Sequence, residues 1–154
     1  MKKILITMIA LLSMTLTASA QAHNDAQVKA VMDFVRMFRP VGKDFAVTAY
    51  PVTWRTYTAV TGKKKPANTS LTAVVSLSQS EQKAFANYLT KGDGQGIKYR
   101  VATASELQKA LSKRINIQSE SGPNNVSTKG FYIAVSYKDY QKLKAVLDVV
   151  GDVY

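Results

Sequence analysis

Catalysis needs a side chain that can move a proton, attack a carbon or hold a metal, and this chain has few of them. It contains no cysteine and a single histidine, His23. A general base must stay within hydrogen-bond reach of the proton it moves, and a position so close to the amino terminus holds one poorly. Serine–histidine catalysis and histidine-based metal sites are therefore disfavoured. Carboxylate pairs remain, and Asp139 with Asp148, or Glu81 with Glu106, have the residue types a glycoside hydrolase uses. Only ten acidic residues exist, however, and most stand at helix starts, where a carboxylate has a capping role. The run Gly92-Asp93-Gly94-Gln95-Gly96 has the glycines of a phosphate cradle. It lacks a following helix and the lysine-serine or lysine-threonine pair, so it reads as a turn. The expectation is a protein with no catalytic residues, no metal site and no cofactor.

What the chain has in quantity is positive charge. Its 154 residues carry a formal +11, and removing Lys2 and Lys3 with an amino-terminal leader takes +11 to +9. A field of that sign favours acidic partners: an acidic protein, an anionic glycan, anionic lipid heads or nucleic acid. Lys63-Lys64-Lys65 is the one tight run; the other lysines, spread from Lys29 to Lys144, equally suit a solvated surface.

Residues 1–20 have the layout of a cleavable secretory signal, with Lys2 and Lys3 at the head, an apolar run over 4–16 and Ala18-Ser19-Ala20 at the end. The apolar run is short for a bilayer span, which disfavours a retained anchor. Cleavage after Ala20 leaves residues 21–154, enough for one domain with a single core. Export into the periplasm of a Gram-negative bacterium is the expected address, with no stable membrane insertion after cleavage. Without cysteine neither a lipidated terminus nor a disulfide is possible, so the fold must stand on packing. Export also makes nucleic acid an unsuitable partner.

Short helices and strands alternate irregularly along the chain. Asp25 caps an expected helix whose Val28, Val31, Met32, Val35 and Phe38 recur at helical spacing up to Pro40. Residues 43–50 alternate, with Phe45, Val47 and Ala49 on one face of a half-buried strand. Proline at 51 ends it, and a helix over 53–61 closes on Gly62. Trp54 and Tyr57, three apart on that helix, are read as core rather than as a ligand cage. Residues 63–70, with three lysines, Pro66 and Asn68, read as an exposed loop, and 71–77 as a strand.

Two capping boxes follow, Ser78 with Glu81 and Thr103 with Glu106. The first opens a helix with Ala84, Phe85, Tyr88 and Leu89 buried and stops before Gly92; the second opens one with Ala104, Leu107 and Leu111 on one side. Short strands are expected at 97–101 and at Ile115 and Ile117, and a second exposed loop over 119–129. Residues 130–137 alternate as the clearest strand, and a last helix over 138–150 buries Tyr140, Leu143, Val146, Leu147 and Val150. The mixture predicts an α+β domain.

As a string, residues 50–62, Y-P-V-T-W-R-T-Y-T-A-V-T-G, resemble the opening block of the formylglycine-generating, or sulfatase-modifying-factor, family. There a valine-threonine pair after a strand leads a helix that carries an aromatic and closes on threonine-glycine. A second block is similar to Val74-Val75-Ser76 with Ala84-Phe85 and Tyr88-Leu89, and a third to residues 99–107, Y-R-V-A-T-A-S-E-L. In the third, Ala102 and Leu107 stand where the family usually has proline and tryptophan. Residues 130–135, G-F-Y-I-A-V, resemble the closing strand. The resemblance covers roughly residues 47–107 and 130–136, and the shared order of its blocks is more specific than any one of them.

That resemblance implies a compact single domain, C-type-lectin-like, with short helices packed on a small mixed sheet. The family's long catalytic segment, with calcium ligands and copper-holding cysteines, is reduced here to about twenty residues between Leu107 and Gly130. Soft thiolate ligands are required for that chemistry, and this chain has none. The scaffold is thus expected without its activity.

Loops on a rigid scaffold are where recognition lies, so Lys63, Lys64, Lys65, Asn68, Asn124, Asn125 and Lys129 are the candidate partner-binding residues. The expected function is non-catalytic binding of an acidic protein partner, most concretely neutralisation of a secreted bacterial toxin, as an immunity protein does. The alternative is an envelope protein that binds anionic glycan or lipid head groups.

Overall fold

The structure, a computed structural model, describes residues 25–150, with the side chains of Asp25 and Val150 not described. The signal segment 1–20 and His23 lie outside the described residues. Helix α1 (Asp25–Arg36) is followed by strands β1 (Phe38–Val41) and β2 (Phe45–Thr48) and helices α2 (Trp54–Thr61) and α3 (Gln79–Gly92). Then come β3 (Arg100–Val101), α4 (Ala104–Ser112), β4 (Gln118–Ser119), β5 (Gly122–Pro123), β6 (Ile133–Ser136) and α5 (Tyr137–Val150). The expected α+β class is correct.

Four strands form one sheet in the order β1-β2-β6-β3, with β4 and β5 a separate hairpin. Every pairing is antiparallel. The expected mixed sheet is therefore corrected: β6 enters between β2 and β3 and runs opposite to both, so no parallel pair arises.

The sheet divides the core in two. On one face Ala46, Phe131, Ile133 and Val135 join apolar residues of α1, α2, α3 and α5. On the other, Phe45, Val47 and Tyr132 pack with Leu107 and Ala110 of α4 and with Ile117. Alternation along β2, and along residues 131–133 leading into β6, thus sorts side chains between two cores rather than between core and water. For the same reason β2, expected to be half-buried, is buried at all four positions.

Several boundaries move for tertiary reasons. The first helix stops at Arg36, not Pro40, because residues 38–41 pair with β2 as a strand instead of continuing the helix. Pro40 instead sits on the edge strand β1, where its missing N–H breaks no ladder. The expected strand 71–77 is reduced to one bridge, Thr53 to Val74, because no second strand lies beside it. The strand at 97–101 shrinks to Arg100–Val101. Ile115 and Ile117 lie in no strand; Ile117 faces the smaller core just before β4. Helix α3 runs through Gly92, and along it Ala86 is buried while Ala84 is exposed. Ala104 is exposed as well, and Ala110 takes the inner position on α4.

Both capping boxes form: Ser78 accepts from the Glu81 amide and Thr103 from the Glu106 amide, with each glutamate reaching back. The residues 119–129, expected as an exposed loop, instead contain the β4–β5 hairpin and two buried serines, Ser119 and Ser127. The Tyr132 hydroxyl pins it, donating to the Gln118 carbonyl (2.7 Å) and accepting from the Ser127 amide (2.9 Å).

Gly130 begins the approach to β6 in a tight corner. A Cβ there would overlap the Val74 side chain and lie 2.9 Å from Pro51 Cβ. Overpacking of this kind costs ~1–3 kcal/mol. Gly130→Ala is expected to lower the urea midpoint of unfolding by a corresponding amount with an unchanged m-value. An unaltered midpoint in urea titration followed by circular dichroism would show that this corner relaxes freely.

Candidate binding groove

The amino-terminal amides of a helix have no partner within the helix. In α2 the N-cap Thr53 offers no side-chain bond to fill that gap. The Trp54 and Arg55 amides instead donate to the Ala73 carbonyl (3.0 Å) and the Leu71 carbonyl (2.9 Å). Segment 70–73 is thereby tied across the start of α2, and it is turned by Ala73 N–H donating to Ser70 O and by Thr72 N–H donating to Ser70 Oγ. Leu71 is held in that turn with 41 % of its surface exposed. Only Val149 is a comparably exposed large apolar residue among the described residues.

Opposite it runs the outer edge of α1. Ala26 and Ala30, one turn apart, face Ala59 of α2, and these small side chains leave a cleft of about 530 Å³ between the two helices. At the other end of α2, Gly62 takes a left-handed conformation (φ 73°), its amide donating to Thr58 O. The turn brings Lys63 and Lys64 to the rim of the cleft, which also carries Lys29, Asp33 and Arg55. Four cations against one carboxylate leave this rim at +3. Asp33 is engaged by Lys29 (2.9 Å) and Arg36 (3.3 Å).

The expected site residues divide into two groups. Lys63 and Lys64 line the cleft; Lys65 is half-buried beside it, and Asn68 sits in the exposed turn beyond with φ 62°. Asn124, Asn125 and Lys129 belong to the hairpin region over the smaller core, against which Val126 packs. Asn124 holds a left-handed φ of 55°, and the Asn125 amide donates to Ile117 O. None of the clefts described is lined by both groups. Sequence reading missed Arg55 and Leu71. A lone leucine directly after a polar loop, and alanines four apart on α1, were the available signals.

The carboxylates are spent on local structure. Glu81 is held below the usual range by the Ser78 hydroxyl and amide, with Lys63 adding a smaller pull. Burial raises Glu106, but its bonds to the Arg100 guanidinium and to Thr103 outweigh this and hold it low; both carboxylate oxygens lie 2.5 Å from Arg100 nitrogens. Asp93, expected in an open turn, is buried. It accepts from the Tyr99 hydroxyl (2.9 Å) and the Gln95 amide (2.8 Å). Asp139 stands near it, accepting from the Lys98 amide (3.0 Å) with Lys142 at 3.7 Å. These bonds join the end of α3, the approach to β3 and the start of α5. Both Asp93 oxygens are occupied by internal donors, an arrangement that fastens three segments rather than presenting an acid to a substrate.

Comparison with known proteins returns nothing: no family model, curated protein or solved structure matches the chain.

Burial pushes the Asp93 carboxyl above its ordinary value and the Asp139 charge adds to this, against the two hydrogen bonds. A carboxyl raised by folding contributes stability below its unfolded pKa and loses it as pH rises through the folded one. Asp93→Asn removes the charge and keeps an acceptor. It should raise the melting temperature at neutral pH and leave it nearly unchanged at about pH 3. A lower melting temperature at neutral pH, read in parallel thermal scans, would mean that losing the second acceptor oxygen outweighs removal of the buried charge.

Proposed function

We propose that the chain is an exported, non-catalytic binding protein that neutralises a secreted toxic enzyme by covering its catalytic cleft, as an immunity protein does. The observation that carries this reading is the basic rim of Lys63, Lys64 and Arg55 around an apolar cleft whose wall is fixed by backbone hydrogen bonds. Interfaces pair an apolar centre with a polar rim, and opposite charges at the rim steer encounter. An acidic rim around the toxin's active site is the complementary surface.

The scaffold we assign is that of the formylglycine-generating family, reduced by loss of its catalytic segment. Its support is that the blocks resembling that family meet in space. Val52 donates to Phe131 O and accepts from Val75 N–H, Thr53 bridges Val74, and Ala102 donates to Tyr132 O. The address in the periplasm rests on the layout of residues 1–20.

A tagged, exported copy should co-purify with one enzyme from periplasmic extract and protect cells that produce it. Reversing the rim with Lys63→Glu and Lys64→Glu together should slow association about tenfold and flatten its salt dependence, since rim charges act chiefly on the on-rate. Failure of the parent chain to protect against, or bind, the product of the neighbouring gene would count against the reading. Capture of anionic glycan or vesicles with a steep loss in salt and no protein partner would favour a head-group binder instead.

A further inference from the structure

The cleft between α1 and α2 does not end at Leu71. A second one of about 300 Å³ continues from it and shares Ala30, Asp33, Arg55 and Leu71 as walls, reaching Met37 and Tyr50. Together they make one groove along α1 from Ala26 to Met37, about 16 Å at the helical rise of 1.5 Å per residue. Its two ends differ in chemistry. Lys29, Lys63 and Lys64 line only the first part, while Phe34, Met37 and Tyr50 line only the second, with Arg55 and Leu71 between.

We infer that this groove receives a short extended segment of the partner protein, acidic at one end and bulky apolar at the other. The inference rests on the binding reading above and gives it a direction. A length of about 16 Å matches roughly five extended residues at about 3.3 Å each. Acidic side chains meet the lysines at the Ala26 end; an apolar side chain passes over Leu71 toward Met37 and Tyr50. A second copy of this chain is a poor occupant, because its own excess of positive charge meets a groove that already carries +3. A glycan would leave the aliphatic wall of Leu71, Ala30 and Met37 without a matching surface.

The test uses the mature chain and a labelled peptide of three acidic residues followed by leucine and phenylalanine. Fluorescence anisotropy should show binding that falls at least about tenfold, equivalent to 1.4 kcal/mol, when the apolar pair is replaced by serine or the acids by lysine. Reversing the order of the peptide should weaken it as well. Amide chemical shifts should move at 26–37, 55–64 and 71–72. Leu71→Asp and the Lys63→Glu/Lys64→Glu pair, all at exposed positions, should each weaken binding by a similar factor without lowering the unfolding midpoint. Equal affinity of Leu71→Asp for the peptide, shifts confined to 119–129, or displacement by phosphatidylglycerol vesicles that persists in Leu71→Asp would overturn the groove assignment. If Leu71→Asp captured and neutralised the toxic partner as well as the parent does, the groove would fail while the neutralising reading stood. Peptide binding without any protection of cells would leave the groove and remove that reading.

Discussion

The fold depends on β6 entering between β2 and β3. Its backbone pairs Val47 with Ala134 and Ala46 with Val135 on one side, and Arg100 with Ala134 on the other. Just before it, Phe131 accepts from Val52 N–H and Tyr132 from Ala102 N–H. Even the side chain of Thr48 is drawn in, accepting from the Ile133 amide at 3.1 Å inside the core. Residues 131–135 are all buried, and each large apolar side chain so placed contributes about 1.5–3 kcal/mol of transfer free energy. Closing a loop of more than eighty residues to reach these pairings is slow and entropically costly. With no disulfide to fix the ends, the interleaved strand and its two cores are what hold early and late parts of the chain together.

That central closure also ties down one wall of the groove. Val52, fixed by Phe131, accepts from Val75 N–H at 2.9 Å, and Thr53 bridges Val74. The segment that carries Leu71 is therefore anchored at both ends, by the strand-like bridge on one side and by the first amides of α2 on the other. A leucine presented this way loses little conformational freedom on binding, which is the condition under which an apolar contact adds most to affinity. Helix α1 is held by the same core, because Ala30, Val31, Phe34 and Val35 are all buried in it, while Ala26 is exposed at the edge of the cleft.

Features written in local chemistry were legible in the sequence. The two capping boxes, the left-handed Gly62 and the exposed lysine turn depend on residues within four positions of one another, and each stands where its motif sits. What depends on distant partners was not legible. Nothing near Pro40 says that an edge strand waits for it, and nothing in the glycine run says that Asp93 will be buried under Tyr99. The alternation of 130–137 was visible, but the second core beneath Tyr132 arises only when α4 and Ile117 close over that face. Of the candidate site, Lys63 and Lys64 were found from their density, whereas Arg55 and Leu71 required the helix pairing that places them.

Electrostatics follows from how acids and bases are distributed between inside and outside. Asp44 binds Lys109 at 2.6 Å, Glu120 accepts from Ser127 at 3.0 Å, and Glu81, Asp93, Glu106 and Asp139 are committed to caps and cross-links. Among the described residues Arg55, Lys63 and Lys64 make no salt bridge. Among the described residues most carboxylates are thus engaged by donors of the chain itself, while these three cations stand without an acid at salt-bridge distance beside them. Salt screens such a field within about 10 Å at 0.1 M, so it acts as a guide to encounter and not as a long-lived bond. Under the proposed reading lasting attachment comes from apolar burial, and the groove between α1 and α2 sets an apolar wall beside cations that make no salt bridge.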